Sequence, residues 1–106
     1  MTPLLVRLRL AAEADIQEAS EWYEDREPGL GGRFLDELGS TFTKIRLSPL
    51  QFPRIARSLR RALLRRFPYT IYFVLSDDVS VAVVAVLHQR RKPGIWKQRL
   101  QLEDGG

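Results

Sequence analysis

The side chains able to do chemistry are few and lie mostly in the second half of the chain. Arg60, Arg61, Arg65 and Arg66 fall in one short stretch, and His88 stands just ahead of Arg90 and Arg91. Clustered guanidinium groups can hold a phosphate or a carboxylate through paired N–H donors. An imidazole beside them can move a proton near neutral pH. Together these residues offer a base and charge stabilisation at a phosphate. Arg54 and Arg57 add charge but are poor proton donors or acceptors. His88 has a second reading, in which its ring caps a strand end by bonding a nearby backbone carbonyl. There is no cysteine and only one histidine. That excludes disulfides, cysteine-based zinc sites and any site needing two histidines, so neither a metal nor a cofactor is expected.

The elements that must position these residues are constrained by length and charge. A chain of 106 residues makes a single domain over residues 1–106, with a tail expected to fray from about 103. Residues 1–50 carry 6 basic and 9 acidic side chains, whereas residues 51–106 carry 11 basic and 4 acidic ones. Fourteen of the 17 basic residues are arginine. A coding bias can explain the arginine-to-lysine ratio, but it does not explain the asymmetry between halves. The basic half points to an anionic partner, either nucleic acid or an acidic protein. No apolar run is long enough to span a membrane, and the N-terminal stretch is a poor signal peptide, so no membrane role and a cytoplasmic location are expected.

Hydrophobic periodicity supplies the order of elements. Leu4 to Leu10 alternates, with Leu8 and Leu10 on one side and Arg7 and Arg9 on the other, which reads as a strand. Ala12, Ile16, Ala19 and Tyr23 form a helical stripe, and Pro28-Gly29-Leu30-Gly31-Gly32 then reverses the chain. Leu35, Leu38, Phe42 and Ile45 form a second stripe that stops at Ser48-Pro49. Residues 50–58 read as a loop or a single helical turn. Strands follow at Leu59 to Phe67, Tyr69 to Leu75 and Val79 to His88, with Ser76-Asp77-Asp78 turning the last two into a hairpin. Ile95 to Leu102 reads as a short helix or a last strand. The fold class is α+β in the order β-α-α-β-β-β, with a helical hairpin on a curved, mostly antiparallel four-stranded sheet. Residues 81–87 are apolar on both faces, so the sheet has a second apolar face that no remaining element is expected to cover.

The stretch from Arg60 to Trp96, RRALLRRFPYTIYFVLSDDVSVAVVAVLHQRRKPGIW, resembles the ParE branch of the RelE/ParE toxins of type II toxin–antitoxin systems, often called plasmid stabilisation proteins. Its more specific pieces are Arg60-Arg61, Pro68-Tyr69-x-Ile71-Tyr72, and Val86-Leu87-His88-Gln89-Arg90-Arg91. Trp22-Tyr23, Pro28-Gly29-Leu30-Gly31, Phe34-Leu35 and Phe52-Pro53 extend the similarity over most of the chain. The resemblance implies a small cytoplasmic toxin neutralised by a cognate, ParD-like antitoxin, with a ribbon-helix-helix N-terminus and an acidic C-terminal tail. ParE-like members imply inhibition of DNA gyrase by protein contact. RelE-like members imply cleavage of mRNA on the ribosome by attack of the 2′-OH. A non-toxic orphan binding module is a third reading.

Compared with the RelE-like nucleases, this chain has no tyrosine after Tyr72 and no lysine between Lys44 and Lys92. The non-enzymatic reading is therefore preferred. If the chain is a ribonuclease, its residues are His88, Arg65, Arg66 and Arg90. The antitoxin is expected to meet Leu63, Arg65, Tyr72, Val74, Val84 and Val86, where basic and apolar surface coincide. Arg65 and Arg66 have the alternative of pairing with helix acids such as Glu18, Glu21 or Asp36. The target is expected to meet Arg90, Arg91, Lys92 and Trp96, unless the basic run is a solvated loop. Trp22 and Tyr23 are expected to pack at the seam between helices and sheet.

Overall fold

The computed structural model describes residues 3–91 and 94–105. A short strand β1 (Leu5–Leu8) leads into helices α1 (Leu10–Arg26) and α2 (Leu30–Leu47). One 3-10 turn at Pro49–Gln51 follows, and then four strands: β2 (Arg54–Ala56), β3 (Leu59–Leu63), β4 (Tyr69–Leu75) and β5 (Ser80–His88). Helix α3 (Gly94–Gly105) closes the chain. The sheet has five strands in the order β1-β5-β4-β3-β2. β1 runs parallel to β5, and the other pairs are antiparallel.

The α+β class and the order of elements agree with the periodicity, and several details differ. The segment read as a loop contains β2, a three-residue edge strand paired with β3 through Arg54↔Arg60 and Ala56↔Leu59. It carries no alternation long enough to register as a strand. β3 stops at Leu63 because the backbone turns at residues 65–68, well short of Phe67. The C-terminal segment is a helix through Gly105, so residues 103–105 belong to α3.

The helical hairpin covers one face of the sheet. In α1, Ala12 and Ala19 are buried and Ile16 and Tyr23 pack beside them, as the spacing predicts. In α2 the buried line is Phe34, Leu38, Thr41 and Ile45, and Leu35 is half exposed. The apolar stripe is thus shifted by one residue at its start, where Phe34 and Leu35 compete for the inward position. Leu10 is exposed because the chain has already entered α1, so the core takes Leu4, just before β1, and Val6 and Leu8 from the strand itself.

Two glycines make the hairpin turn possible. Gly29 has φ 90°, a left-handed conformation that costs a side-chain residue about 1–2 kcal/mol. Gly31 lets α2 approach α1 so closely that a Cβ there would lie 2.5 Å from the Ser20 carbonyl oxygen. The Glu24 carboxylate secures the turn by accepting the Gly29 amide at 2.9 Å and the Gly31 amide at 3.0 Å. Gly31→Ala is therefore expected to destabilise the fold by about 1–3 kcal/mol, despite alanine's better helix propensity, because the clash is with backbone. Thermal unfolding measures this; a variant as stable as the parent would show that the helices can part without cost.

Strand β5 is buried along almost its whole length because it is covered on both faces. Its register against β4 shifts between Tyr72 and Phe73, leaving Val84 without a partner residue. This bulge places two residues where a regular strand has one, so the alternation reverses across it. Val81, Val83 and Val86 consequently face the hairpin, while Ala82, Val84, Ala85 and Leu87 face the other side. There they form a second core with Leu59 and Val74, roofed by Ile95, Trp96 and Leu100 of α3. The second apolar face is therefore covered by the chain itself, contrary to the expectation from the strand pattern.

The β4–β5 turn is held by Asp77, whose Oδ1 accepts the Val79 amide at 2.8 Å and the Ser80 hydroxyl at 3.1 Å. These bonds, the Val79 amide foremost, hold its carboxyl below the ordinary carboxylate range. Its contribution is present above that range and is lost as pH falls through the lowered value.

Candidate functional site

The arginines and the histidine fall at separate places. Arg65 and Arg66 sit in the β3–β4 connection, where both of their backbone amides donate to the Glu37 carboxylate of α2. A helix acid thus does meet this pair, but it is Glu37, and it binds main chain. Glu37 lies three residues after Phe34 in α2, the spacing that places it above the same turn. Around this contact lies a groove of about 510 Å³ lined by Arg33, Asp36, Lys44, Arg65, Arg66 and Phe67 among others.

His88 ends β5 and lines a different groove. Its Nδ1 accepts the Arg90 backbone amide at 3.1 Å, and its ring meets Tyr69 edge-on at 5.3 Å. The strand-end role is thus met by an amide donor where a carbonyl was expected. Nδ1 is thus already engaged by main chain, which leaves Nε2 as the ring nitrogen without a bond among the described residues. Arg60 and Arg61 diverge by alternation. Arg60 donates to the Phe52 carbonyl at 2.7 Å, whereas Arg61 is exposed opposite Tyr72. Arg90 and Arg91 occupy the exposed turn after β5, closed by the Arg91 amide on the His88 carbonyl at 2.9 Å.

Between the two grooves stand four rings. Tyr23, Phe34, Phe67 and Tyr69 make mutual contacts with centroids 4.9–6.0 Å apart. Tyr23 belongs to the core, as expected. Trp22 does not: it is half exposed, with the Arg26 guanidinium 4.1 Å above its ring. Burial raises the hydroxyl pKa of Tyr23, Tyr69 and Tyr72. At Tyr69 the nearby Arg91 opposes that rise, and Glu18 and Asp15 reinforce it.

The residues expected at the antitoxin do not form one surface. Leu63, Tyr72, Val74 and Val84 share the face under or beside α3. Leu63 is exposed there, and Tyr72 stacks on Trp96 at 5.9 Å. Arg65 belongs to the Glu37 groove. Val86 is buried beneath the hairpin, because the bulge sends it to the face opposite Val84. Of the residues expected at the target, Arg90 and Arg91 are exposed, Trp96 is turned onto Tyr72, and Lys92 lies outside the described residues.

One constellation joins residues that no sequence motif links. β1 pairs only with Ser80–Val83, which leaves the remaining edge of β5 without a strand beside it. Side chains replace the missing strand there. Asp15 Oδ2 accepts the Val86 amide at 2.9 Å, and Arg99 donates to the Val84 carbonyl at 3.0 Å. The two side chains also pair with each other at 2.8 and 3.1 Å, locking α1, β5 and α3 together. The Asp15 bond raises the Arg99 pKa, so Arg99 stays charged throughout the neutral range. An acid and a base 84 residues apart leave no local signal.

Among the described residues no group of acidic and histidine side chains could hold a metal ion, and no helix is long and apolar enough to cross a membrane. A comparison with curated protein sequences gave no match. In fold the chain is similar to a protein of the chromosomal ParDE toxin–antitoxin system of P. aeruginosa, with a TM-score of 0.69 and 13% identity over 80% of this chain and 95% of that one. It is also similar to a chain of the RelBE toxin–antitoxin complex of Mycobacterium tuberculosis, with a TM-score of 0.57 and 18% identity over 82% of this chain and 99% of that one. The family model for the ParE toxin of the type II toxin–antitoxin system parDE matches residues 6–93. With that match spanning most of its length, the chain belongs to the ParE toxin family of type II toxin–antitoxin systems.

Proposed function

We propose that this toxin inhibits DNA gyrase by protein contact and is neutralised by a cognate, ParD-like antitoxin in the cytoplasm. The observation that carries the non-enzymatic reading is the separation of the candidate nuclease groups. Arg65 and Arg66 are tied to Glu37, while His88 lines another groove with its Nδ1 already occupied. A phosphate held at one place would meet no base from the other, and acid–base catalysis needs the transferring groups within hydrogen-bond reach.

In this reading Arg90 and Arg91 meet the target. They form an exposed basic turn that Trp96 anchors by stacking on Tyr72. The antitoxin's acidic tail lies along the exposed Arg61 and Leu63 at the margin of α3, beside Tyr72, while Val74 and Val84 are buried beneath that helix and out of its reach. Val86 drops out of that footprint. An acidic, apolar tail suits a surface that combines exposed leucine with arginine, and its ordering on binding fits a disordered segment.

A supercoiling assay tests the target. The purified chain is expected to block gyrase, and Arg90→Ala with Arg91→Ala is expected to weaken that block at least about tenfold, the scale of a lost charged contact, with unchanged thermal unfolding. His88→Ala is expected to retain the block. Gyrase left fully active by a large excess of the chain would overturn the reading.

A further inference from the structure

Four cations, Arg33, Lys44, Arg65 and Arg66, gather around Glu37 in the groove of about 510 Å³. Helix α2 forms one wall. Arg33, Glu37, Ser40 and Lys44 recur at helical spacing on one side of it, with Arg33 and Lys44 about 16 Å apart along the axis. The β3–β4 connection forms the other wall and brings Arg65 and Arg66 in beside Glu37, between those two ends. Glu37 spends its carboxylate on their backbone amides, so both guanidinium groups are left to solvent. Lys44, Arg65 and Arg66 are exposed and carry no ion pair among the described residues. Arg33 pairs with Glu27, but both side chains are more than half exposed, so the pair is weak and readily exchanged. Of the two acids in the lining, Glu37 is thus engaged, and Asp36 alone opposes the four cations.

This arrangement selects its ligand in three ways. The excess of positive charge selects an anion. A spread of about 16 Å exceeds one phosphate and suits a row of them, which in each strand of duplex DNA recur about every 3.4 Å of axis. Finally, an apolar anchor is missing. Phe67 and Thr41 are buried in the floor, and Leu30 is half-buried. An acidic peptide lacks the central apolar contact that protein interfaces need, and a single strand lacks a ring to stack on. We propose that the groove binds the phosphate backbone of duplex DNA without reading its sequence. Lys44, Arg65 and Arg66 each meet a phosphate, and Ser40 adds a hydroxyl donor at the rim. His88 lines the other groove, so the backbone is held and not cleaved. DNA is preferred to RNA because the proposed target works on DNA; that choice rests on the gyrase reading, whereas the phosphate site does not.

Fluorescence anisotropy with labelled duplexes of about 20 base pairs, two helical turns, tests the proposal in the absence of gyrase. Two unrelated sequences are expected to bind alike, with a Kd between about 1 and 100 µM and a log–log salt slope near about −3 for three phosphates. Arg65→Ala with Arg66→Ala is expected to weaken binding at least about tenfold and to flatten the slope by about 2. Its thermal unfolding is expected to match the parent, because Glu37 holds main chain there. Asp36→Asn is expected to bind more tightly. Arg61→Ala with Arg90→Ala removes the same charge away from the groove and is expected to stay within about twofold, since salt screens distant charges. Equal losses in the two double variants would show attraction to the basic chain as a whole and overturn the site. No binding overturns it as well. Tighter binding of single-stranded DNA, or displacement by hexaglutamate as effective as by unlabelled duplex at equal charge, would overturn the duplex as occupant. Tighter binding of an RNA duplex would overturn the choice of DNA. A chain that binds the duplex in this pattern yet spares gyrase would support the groove and sink only the target reading.

Discussion

Replacing Asp15 by alanine is expected to destabilise the protein by about 2–4 kcal/mol, a large share of the stability of a domain this size. The loss has two parts. The Val86 amide loses its acceptor, and Arg99 is left with its charge largely enclosed and no counter-ion. Side-chain exposures of 12% for Asp15 and 20% for Arg99 place the pair well inside the surface, so solvent screens little of the effect. Asp15→Asn is expected to lose less, because its amide oxygen still accepts the Val86 N–H while its NH₂ faces the guanidinium. Arg99→Ala removes the clamp on α3 and leaves Asp15 bonded to Val86, so it too is milder. Chemical denaturation of the single and double variants gives the coupling. A coupling below about 0.5 kcal/mol, the additive limit for independent sites, would show that the two side chains act independently. Since Arg99 is held charged by its partner, the pair's contribution stays level through mildly alkaline pH and is lost only as pH climbs through the raised arginine value.

Phe34→Ala is expected to cost about 3–5 kcal/mol, the range for deleting a fully buried aromatic ring. Phe34 is 0% exposed and touches three of the other rings that join the hairpin to the sheet: Tyr23, Phe67 and Tyr69. Removing it leaves a cavity that none of its neighbours can fill, because each is fixed by contacts with the rest of the cluster. Phe34→Leu keeps most of the volume and is expected to lose no more than about 1.5 kcal/mol. Thermal unfolding separates the two, with a midpoint lowered by more than about 10 °C for alanine. A small loss for alanine would mean that α2 slides inward to close the space.

How much was legible in the sequence follows from how local each signal is. The strand Tyr69–Leu75 and the helix stripe from Ala12 to Tyr23 were read correctly because their patterns are repeated within a few residues. The start of α2 was misjudged by one position, since Phe34 and Leu35 are both apolar and only tertiary packing selects between them. β2 leaves no signal because three residues carry no period, and its pairing with Arg60 is set by the turn that follows it. Val84 and Val86 would share a face in any regular strand. The bulge that separates them is a property of the β4 register and is not written in Val81–Leu87. The same limit applies to the sites. The arginines could be named, but whether they converge depends on Glu37 and on the edge of β5.

The parallel pairing of β1 with β5 has a consequence for how the molecule is made. Leu5 must find Ser80, closing a loop of about 75 residues, an entropic cost that only contacts across the finished sheet can offset. The antiparallel run from β3 to β5 needs only short connections and can assemble first. The N-terminal strand and its helical hairpin dock onto it afterwards. On a ribosome, β1 emerges well before its partner β5 and is therefore among the last elements to be placed. The toxin acquires its finished surface only when almost all of its chain has emerged.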